Sequence, residues 1–468
     1  MLNIGKLAPG GENYYLETVA SGVEDYYTGA GEAPGSWLGA SASGLGLAGR
    51  VEPEALRAVL GAADPATGEP LTGRMSRRSV PGFDCTFRAP KSVSLLYGLG
   101  DLSTAVAVCD AHDAAVAAAV GYLEAHAGFC RRGHGGAERV PVGGFVAAAF
   151  RHRTSRAGDP LLHTHVLIAN VGRAVDDGRW RTLDGRSLYV HANTAGYLYQ
   201  AQLREELSRR LGVEWGGVHN GCADVAGVPE EVIRAFSRRR AEIEAHMERR
   251  GETSAKAAQT ATLATRGAKK HSVEPAALGA DWLTRAAALG FGPDQVAGLA
   301  GRNSSHELEP AAVTTIADQL AGPDGLTARA STFTRRDVVR AWCDRLPDGA
   351  GVGQVLALAD ALLDGDAGVA VRLDHVQAVA RRLSGDQVIR RSDGRVVVAD
   401  GDEPRYSTLE LLDLERRVIG AATGRQDADA AVAAAEAVEA ALARRPSVAS
   451  SIRSRRSFGP TRPAPWLL

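Results

Sequence analysis

Residues 143–170 read GGFVAAAFRHRTSRAGDPLLHTHVLIAN, two apolar runs on either side of a polar stretch that contains Gly158, Asp159 and Pro160. Apolar runs separated by a Gly-Asp-Pro breaker predict two β-strands joined by a turn. His152 ends the first run, and His163 and His165 open the second. Side chains alternate faces along a strand, so His163 and His165 point the same way with Cα atoms roughly 6.6 Å apart. If the strands pair antiparallel, His152 arrives on that same face. Three imidazoles can then share one ion at about 2.0–2.2 Å and leave a position open for substrate. Neutral nitrogen ligands leave the ion its full charge, which suits a Lewis acid polarising a phosphate oxygen as charge develops in the transition state. One histidine in a strand is more often a core or surface residue; the third histidine and the paired strands carry the metal reading.

Outward from this segment, residues 82–100 read GFDCTFRAPKSVSLLYGLG, a strand-like run in which Asp84 and Thr86 share a face while Phe83, Cys85 and Phe87 take the other. A carboxylate on such a strand needs a partner. Asp84 is a candidate base, or a candidate acceptor of a histidine N–H that fixes tautomer and ring angle; a strand-end ion-pair acid is the plainer alternative. Lys91 either contacts DNA phosphate or lies at an exposed helix start. Nearer the N-terminus, ENYYLETVASGVEDYY (residues 12–27) holds the pairs Tyr14–Tyr15 and Tyr26–Tyr27, four of the ten tyrosines in the chain. The residues alone read first as a helix burying aromatic edges. At neutral pH a phenol is roughly three pKa units from its anion, a deficit of about 4 kcal/mol that a base or metal must offset. Attack of a phenolate on phosphorus would store the cut bond as a phosphotyrosine ester, so the cut could be rejoined.

The chain has 468 residues, more than one domain usually holds, which predicts two or three compact units. Hydrophobic content of 45% and charged content of 23% are those of a soluble globular protein, and no apolar run approaches the twenty residues of a membrane span. The start, MLNIGKLAPGGENYY, lacks the basic and apolar regions of a secretory signal, so a cytoplasmic location with five reduced cysteines is expected. Those cysteines, 85, 109, 130, 222 and 343, form no CxxC pair and read as apolar packing. A formal charge of −1 gives no global attraction to nucleic acid. Locally, residues 231–270 carry ten Lys and Arg against five Glu, either a solvated helical surface or a DNA-contacting element.

A boundary is expected near residue 300, at GRNSSHELEP (301–310), after which the text becomes Ala-, Asp- and Arg-rich with helical periodicity. The run 337–346 predicts an amphipathic helix, and 388–408, with its Asp-Gly turns, a wing-like β-hairpin. Residues 427–445 predict an Ala-rich helix, and the Ser-, Arg- and Pro-rich tail after it predicts disorder. The expected division is therefore 1–300, 301–425 and 426–468.

In order along the chain, NYY, DYY, SWLGASASGLGL, GFDCTFRAPKSVS, FRHRTSRAGDPLLHTHVLIAN and RGAKKHSV resemble the TrwC/TraI-type (MobF class) conjugative relaxases over about residues 1–295. The resemblance implies an α+β fold of HUH-relaxase type: a five-stranded antiparallel palm with helical fingers closing over single-stranded origin-of-transfer DNA. It implies Tyr14 as first nucleophile and Tyr26 as the tyrosine of a later strand transfer, with Tyr15 and Tyr27 beside them. It further implies His152, His163 and His165 as the metal triad, Asp84 as the acid serving the nucleophile, and magnesium or manganese as the ion, although imidazole alone would favour zinc or nickel. The spacer between the tyrosine pairs is longer than in the family. The expected activity is nicking with a 5′-phosphotyrosyl link, then rejoining by strand transfer. Relaxosome accessory and coupling proteins are the expected partners besides DNA.

In this setting Arg151, Arg153, Arg238, Arg239, Lys269 and Lys270 join Lys91 as expected DNA contacts. Residues 325–425, with STFTRRDVVRAW and RYSTLELLDLERRVIGAA, resemble the lead-in to the helicase that follows the relaxase in this family. No GxxxxGK[ST] loop occurs; Gly5-Lys6 is followed by leucine. A relaxase separated from its motor, truncated near Pro446 and without ATPase activity, is expected. The contrasting expectation is a catalytically idle fragment that only binds origin DNA; a third, a metal-dependent hydrolase using water, would need no tyrosine cluster.

Overall fold

The computed structural model describes residues 2–20 (side chains to 16), 35–72, 80–133, 136, 138–254, 275–303, 308–364, 369–373 and 403–425, with single positions at 257, 260, 261, 264, 265, 436 and 440. The strands begin with β1 (Leu2–Lys6), β2 (Ser36–Leu38), β3 (Gly82–Arg88), β4 (Phe129–Arg132), β5 (Glu138–Pro141), β6 (Ala147–Thr154) and β7 (Pro160–Ala169). Five of them form an antiparallel sheet in the order β1-β3-β7-β6-β2. The expected five-stranded palm is present. β6 and β7 are joined by a tight turn in which the Ser155 N–H donates to the Asp159 carbonyl at 2.8 Å and Gly158 takes a φ of +75°, a left-handed conformation that glycine adopts without strain.

Strand alternation gives the sheet two cores. On the back, Phe83, Cys85, Phe87, Leu162 and Val166 pack among buried residues of α3 (Lys91–Leu99), α4 (Leu102–Ala127) and α5 (Gly185–Leu211). On the front, Val146, Ala148, Phe150 and Leu167 pack with Tyr15 of α1 (Glu12–Ala20), Trp37 of β2, and Leu56 and Leu60 of α2 (Pro53–Leu60). The front row is apolar as far as Phe150 and Leu167. One step further along the same face stand His152, His165 and His163, so the strand period that builds the front core delivers the polar cluster at its edge.

Among the described residues one helix, α4, is long and apolar enough by length and composition to cross a membrane, although Asp110, Asp113 and Glu124 interrupt its apolar text. Its apolar residues, among them Val108, Ala115, Ala119 and Leu123, are buried in the back core, which is what a central helix under a sheet requires. All five cysteines are free, four of them buried.

After α5 come α6 (Glu230–Ala235), α7 (Arg238–Arg249), α8 (Pro275–Ala288), a short helix at Pro293–Ala297, α9 (Pro310–Ala321), α10 (Arg335–Arg345) and α11 (Val352–Leu363). Residues to Leu409 form one compact unit. Within it Arg204 of α5, 1% exposed, donates to the carbonyls of Gly221, Cys343 and Leu346 at 2.7, 2.8 and 3.2 Å, so a buried guanidinium ties α10 to α5. Of the expected wing, the described end β10 (Arg405–Thr408) pairs antiparallel with β8 (Phe333–Thr334) and β9 (Ala370–Arg372); residues 374–402 lie outside the described residues. A second unit, Glu410–Leu468, holds α12, which starts at Leu409 and ends at Gly424. The Ala-rich helix and tail fall almost wholly outside the described residues.

Candidate active site

The β6–β7 register sets His152 directly opposite His163, and Phe150 opposite His165. β3 sets Thr86 opposite His165, and Asp84 lies two residues away on the same face. The expected convergence of the three histidines therefore follows from pairing. Their ring centroids form a near-equilateral triangle with sides of 5.3, 5.2 and 5.3 Å. An imidazole ligating at about 2.0–2.1 Å puts its ring centre roughly 3 Å from the ion, so three such ligands have ring centres about 5 Å apart. The spacing fits a shared ion. Among the described residues no three His, Cys, Asp or Glu side chains stand in coordinating geometry; binding an ion would need the rings to turn about χ2, which moves a nitrogen while leaving the backbone in place.

Two of the three rings, His165 and His163, are held from behind. His165 Nδ1 lies 2.9 and 3.0 Å from the two oxygens of Asp84, and His163 Nδ1 lies 2.8 Å from the Leu161 carbonyl. Both partners are acceptors, so both Nδ1 atoms donate and each Nε2 keeps its lone pair, the tautomer a metal ligand needs. Burial, with His152 and His165 alongside, holds the His163 pKa well below its usual value, so this ring is neutral.

Asp84 also accepts from Tyr15 Oη at 2.8 Å and from Thr86 Oγ1 at 3.3 Å. Burial pushes its pKa up, but the hydrogen bond and charge of His165, with the Tyr15 and Thr86 hydrogen bonds, outweigh burial and leave it below the usual carboxylate value. Tyr15 is buried against Phe150, ring centroids 5.7 Å apart. Tyr14 is half-buried, and its ring lies parallel to that of His152, 6° apart in plane and 6.4 Å between centroids. Tyr26 and Tyr27 lie outside the described residues.

These groups line a cleft of about 1160 Å³ between the sheet front, α1 and α7. Six basic residues line it, Lys6, Arg88, Lys91, Arg156, Arg239 and Arg240, against the three acids Asp84, Asp159 and Glu244. On the α7 wall Arg239, Arg240, Ile243 and Met247 recur at helical spacing, a basic and apolar face toward the cleft.

Of the expected DNA contacts, Arg239 is on this wall. Arg238 is not: its backbone N–H and Nε donate to the buried Asp159 at 2.9 and 2.8 Å and its NH2 group donates to the Ala157 carbonyl at 2.7 Å, so it fastens α7 to the β6–β7 turn. Lys91 lines the cleft but donates to the Pro160 carbonyl at 2.6 Å. Arg151 and Arg153 are corrected outright. Odd positions of β6 face the back of the sheet, where Arg151 pairs with Asp113 of α4 and Arg153, 4% exposed, lies over the Tyr97 ring at 5.6 Å. Lys269 and Lys270 lie outside the described residues. The reading of residue types missed the cleft-lining bases Lys6, Arg88, Arg156 and Arg240; Arg88 had a legible signal, being two residues beyond Thr86 on the Asp84 face.

The TrwC relaxase family model matches residues 8–289, more than half of the chain. The chain belongs to the TrwC relaxase family. It is 36% identical over 302 residues to the multifunctional conjugation protein TraI of Escherichia coli, covering 62% of this chain and 16% of that protein. To the TraI of E. coli strain K12 it is 33% identical over 380 residues, 75% of this chain and 20% of that protein. The chain thus spans a fifth or less of these relatives. Among solved structures, the copper-bound conjugative relaxase TrwC in complex with oriT DNA superposes with a TM-score of 0.56 at 32% identity, covering 62% of this chain and 99% of that one. TrwC complexed with a 27-mer DNA comprising the recognition hairpin and the cleavage site gives 0.53 at 31% identity, with the same coverage. The sheet with its surrounding helices is this family's α+β fold.

Proposed function

We propose that this relaxase cuts single-stranded origin-of-transfer DNA with Tyr14 beside a divalent metal held by His152, His163 and His165, and rejoins it by strand transfer. The observation that carries the reading is the triangle of rings at 5.2–5.3 Å with the Tyr14 ring parallel to His152, 6.4 Å between centroids, inside a basic cleft. TrwC structures with metal and with oriT DNA support both ligands. A bound divalent ion supplies Lewis-acid polarisation of the scissile phosphate and lowers the barrier to phenolate formation. Tyr14 Oη forms the bond to phosphorus and the P–O3′ bond breaks. The phenolic proton passes to solvent, the 3′ oxygen takes up a proton from solvent and is released as a hydroxyl, and the 5′ phosphate stays on the tyrosine.

Asp84 acts as a positioning residue. Hydrogen bonds and charge from His165, with the Tyr15 and Thr86 hydrogen bonds, hold its carboxyl below the usual carboxylate range, so it stays ionised and its work is to hold His165 and Tyr15. Lys6, Arg88, Arg156, Arg239 and Arg240 position the phosphates. The functional division falls at about residue 300, with 301–425 derived from a helicase lead-in. These 468 residues contain no phosphate-binding loop, so they hydrolyse no ATP, and they work in the cytoplasm with relaxosome and coupling proteins.

Incubation with an oligonucleotide carrying the nick site, followed by a denaturing gel, should give a covalent protein–DNA band that EDTA abolishes and Mn(II) restores. Tyr14→Phe should lose it. DNA binding without any adduct would favour the idle fragment, and cut strands with no linked protein would favour a hydrolase.

A further inference from the structure

The back of the metal strand is gripped by a polar assembly that the cleavage chemistry does not use. His112 of α4 is fully buried; its Nε2 lies 2.8 Å from Thr164 Oγ1 and its Nδ1 lies 2.8 Å from the Tyr199 hydroxyl. A neutral imidazole donates from one ring nitrogen and accepts at the other, and both hydroxyls can do either, so Tyr199 and Thr164 together satisfy both nitrogens of the buried ring. Burial, with Arg151 nearby, pulls the His112 pKa down to about 3, and the ring stays neutral in this arrangement.

Thr164 sits between His163 and His165 on β7, with its side chain on the opposite face. Its cross-strand partner is Arg151, which pairs with Asp113, the residue after His112. Three consecutive cross-strand pairs are therefore His152–His163 on the front, Arg151–Thr164 on the back and Phe150–His165 on the front. Adjacent residues of one helix hold both members of the middle pair. The register shifts immediately beyond, between His152 and Thr154, where a slip by one residue would turn ligands to the wrong face.

We propose that His112, Asp113 and Tyr199 are positioning residues for the metal triad, acting through Thr164 and Arg151 from the far side of the sheet. The inference rests on the three histidines binding metal. Hydrogen-bond partners behind ligands elsewhere change metal affinity by about 10–100-fold when removed, and here the support passes through the strand instead of the ring.

The test is Mn(II) and Ni(II) binding by calorimetry to the full chain, for wild type, Thr164→Val, Thr164→Ser and Tyr199→Phe. Thr164→Val keeps shape and loses the hydroxyl; it should weaken binding by about tenfold, and Thr164→Ser should restore it. Tyr199→Phe should weaken binding in the same direction, and it decides the matter if Thr164→Val does not fold. Wild-type affinity in Thr164→Val or, failing that variant, in Tyr199→Phe would overturn the inference and reduce the assembly to core packing. No binding by wild type would instead overturn the metal reading on which it rests.

Discussion

Tyr15 donates its phenolic hydrogen to Asp84 Oδ2 at 2.8 Å, and the same carboxylate accepts from His165. The second tyrosine of the NYY pair is thus bonded behind a metal-ligand candidate, while its neighbour Tyr14 lies parallel to His152 in the cleft. Tyr15→Phe leaves one acceptor site of Asp84 open, a loss of about 1–2 kcal/mol. The variant should still form the covalent DNA adduct, more slowly. An adduct that survives Tyr14→Phe and vanishes in Tyr15→Phe would move the nucleophile to Tyr15.

Asp84→Asn should weaken Mn(II) binding by about 10–100-fold, because an amide cannot present two acceptor oxygens to His165. A depressed carboxylate pKa gives stability that is present above the unfolded value of about 3.9 and lost as pH falls through the folded value. The wild type should therefore lose stability on acidification below about pH 4 more steeply than Asp84→Asn. Parallel acid-denaturation curves would mean that Asp84 is not held by the contacts described.

The triad was legible because three independent regularities agreed: strand period, a Gly-Asp-Pro turn, and antiparallel pairing across it. Asp84 and Thr86 followed from the same period. Arg151 and Arg153 were misassigned because their charge was read without that period; on a strand whose His152 faces the front, both neighbours face the back. Asp159 looked like part of a breaker, whereas it is a buried acid holding Arg238 and Arg285, at 2.8 and 3.1 Å. No local pattern reports such a partner, since α8 is more than a hundred residues away in the chain. The His112 assembly was hidden likewise, its three members coming from α4, α5 and β7.

Arginines on the two faces should separate in a salt titration of single-stranded DNA binding. Each phosphate contact removed should lower the log–log salt slope by about 0.7. Arg240→Gln, whose residue lines the cleft and is 79% exposed beside Glu244, should reduce the slope. Arg151→Gln should leave it unchanged, since that guanidinium is paired with Asp113 behind the sheet. A slope lowered by Arg151→Gln alone would contradict the placement of β6.

Lys91 donates to the Pro160 carbonyl beside the cleft, and burial, opposed by Asp159 and aided by Arg285, pulls its pKa down to about 8. A lysine titrating lower in the fold than in the open chain, where it lies near 10.4, leaves the unfolded state holding more protons between those values, so stability rises with pH across that window. Below pH 8 the charged amine is held at a penalty on the order of 3 kcal/mol, which Lys91→Met removes at the loss of one hydrogen bond worth about 1 kcal/mol. The variant's advantage in urea midpoint should thus be largest near pH 7 and shrink toward pH 10; a constant difference would mean the amine titrates normally. A phosphate entering the cleft relieves the same penalty only while the amine is charged. Lys91→Met should therefore weaken DNA binding at pH 7 more than at pH 9.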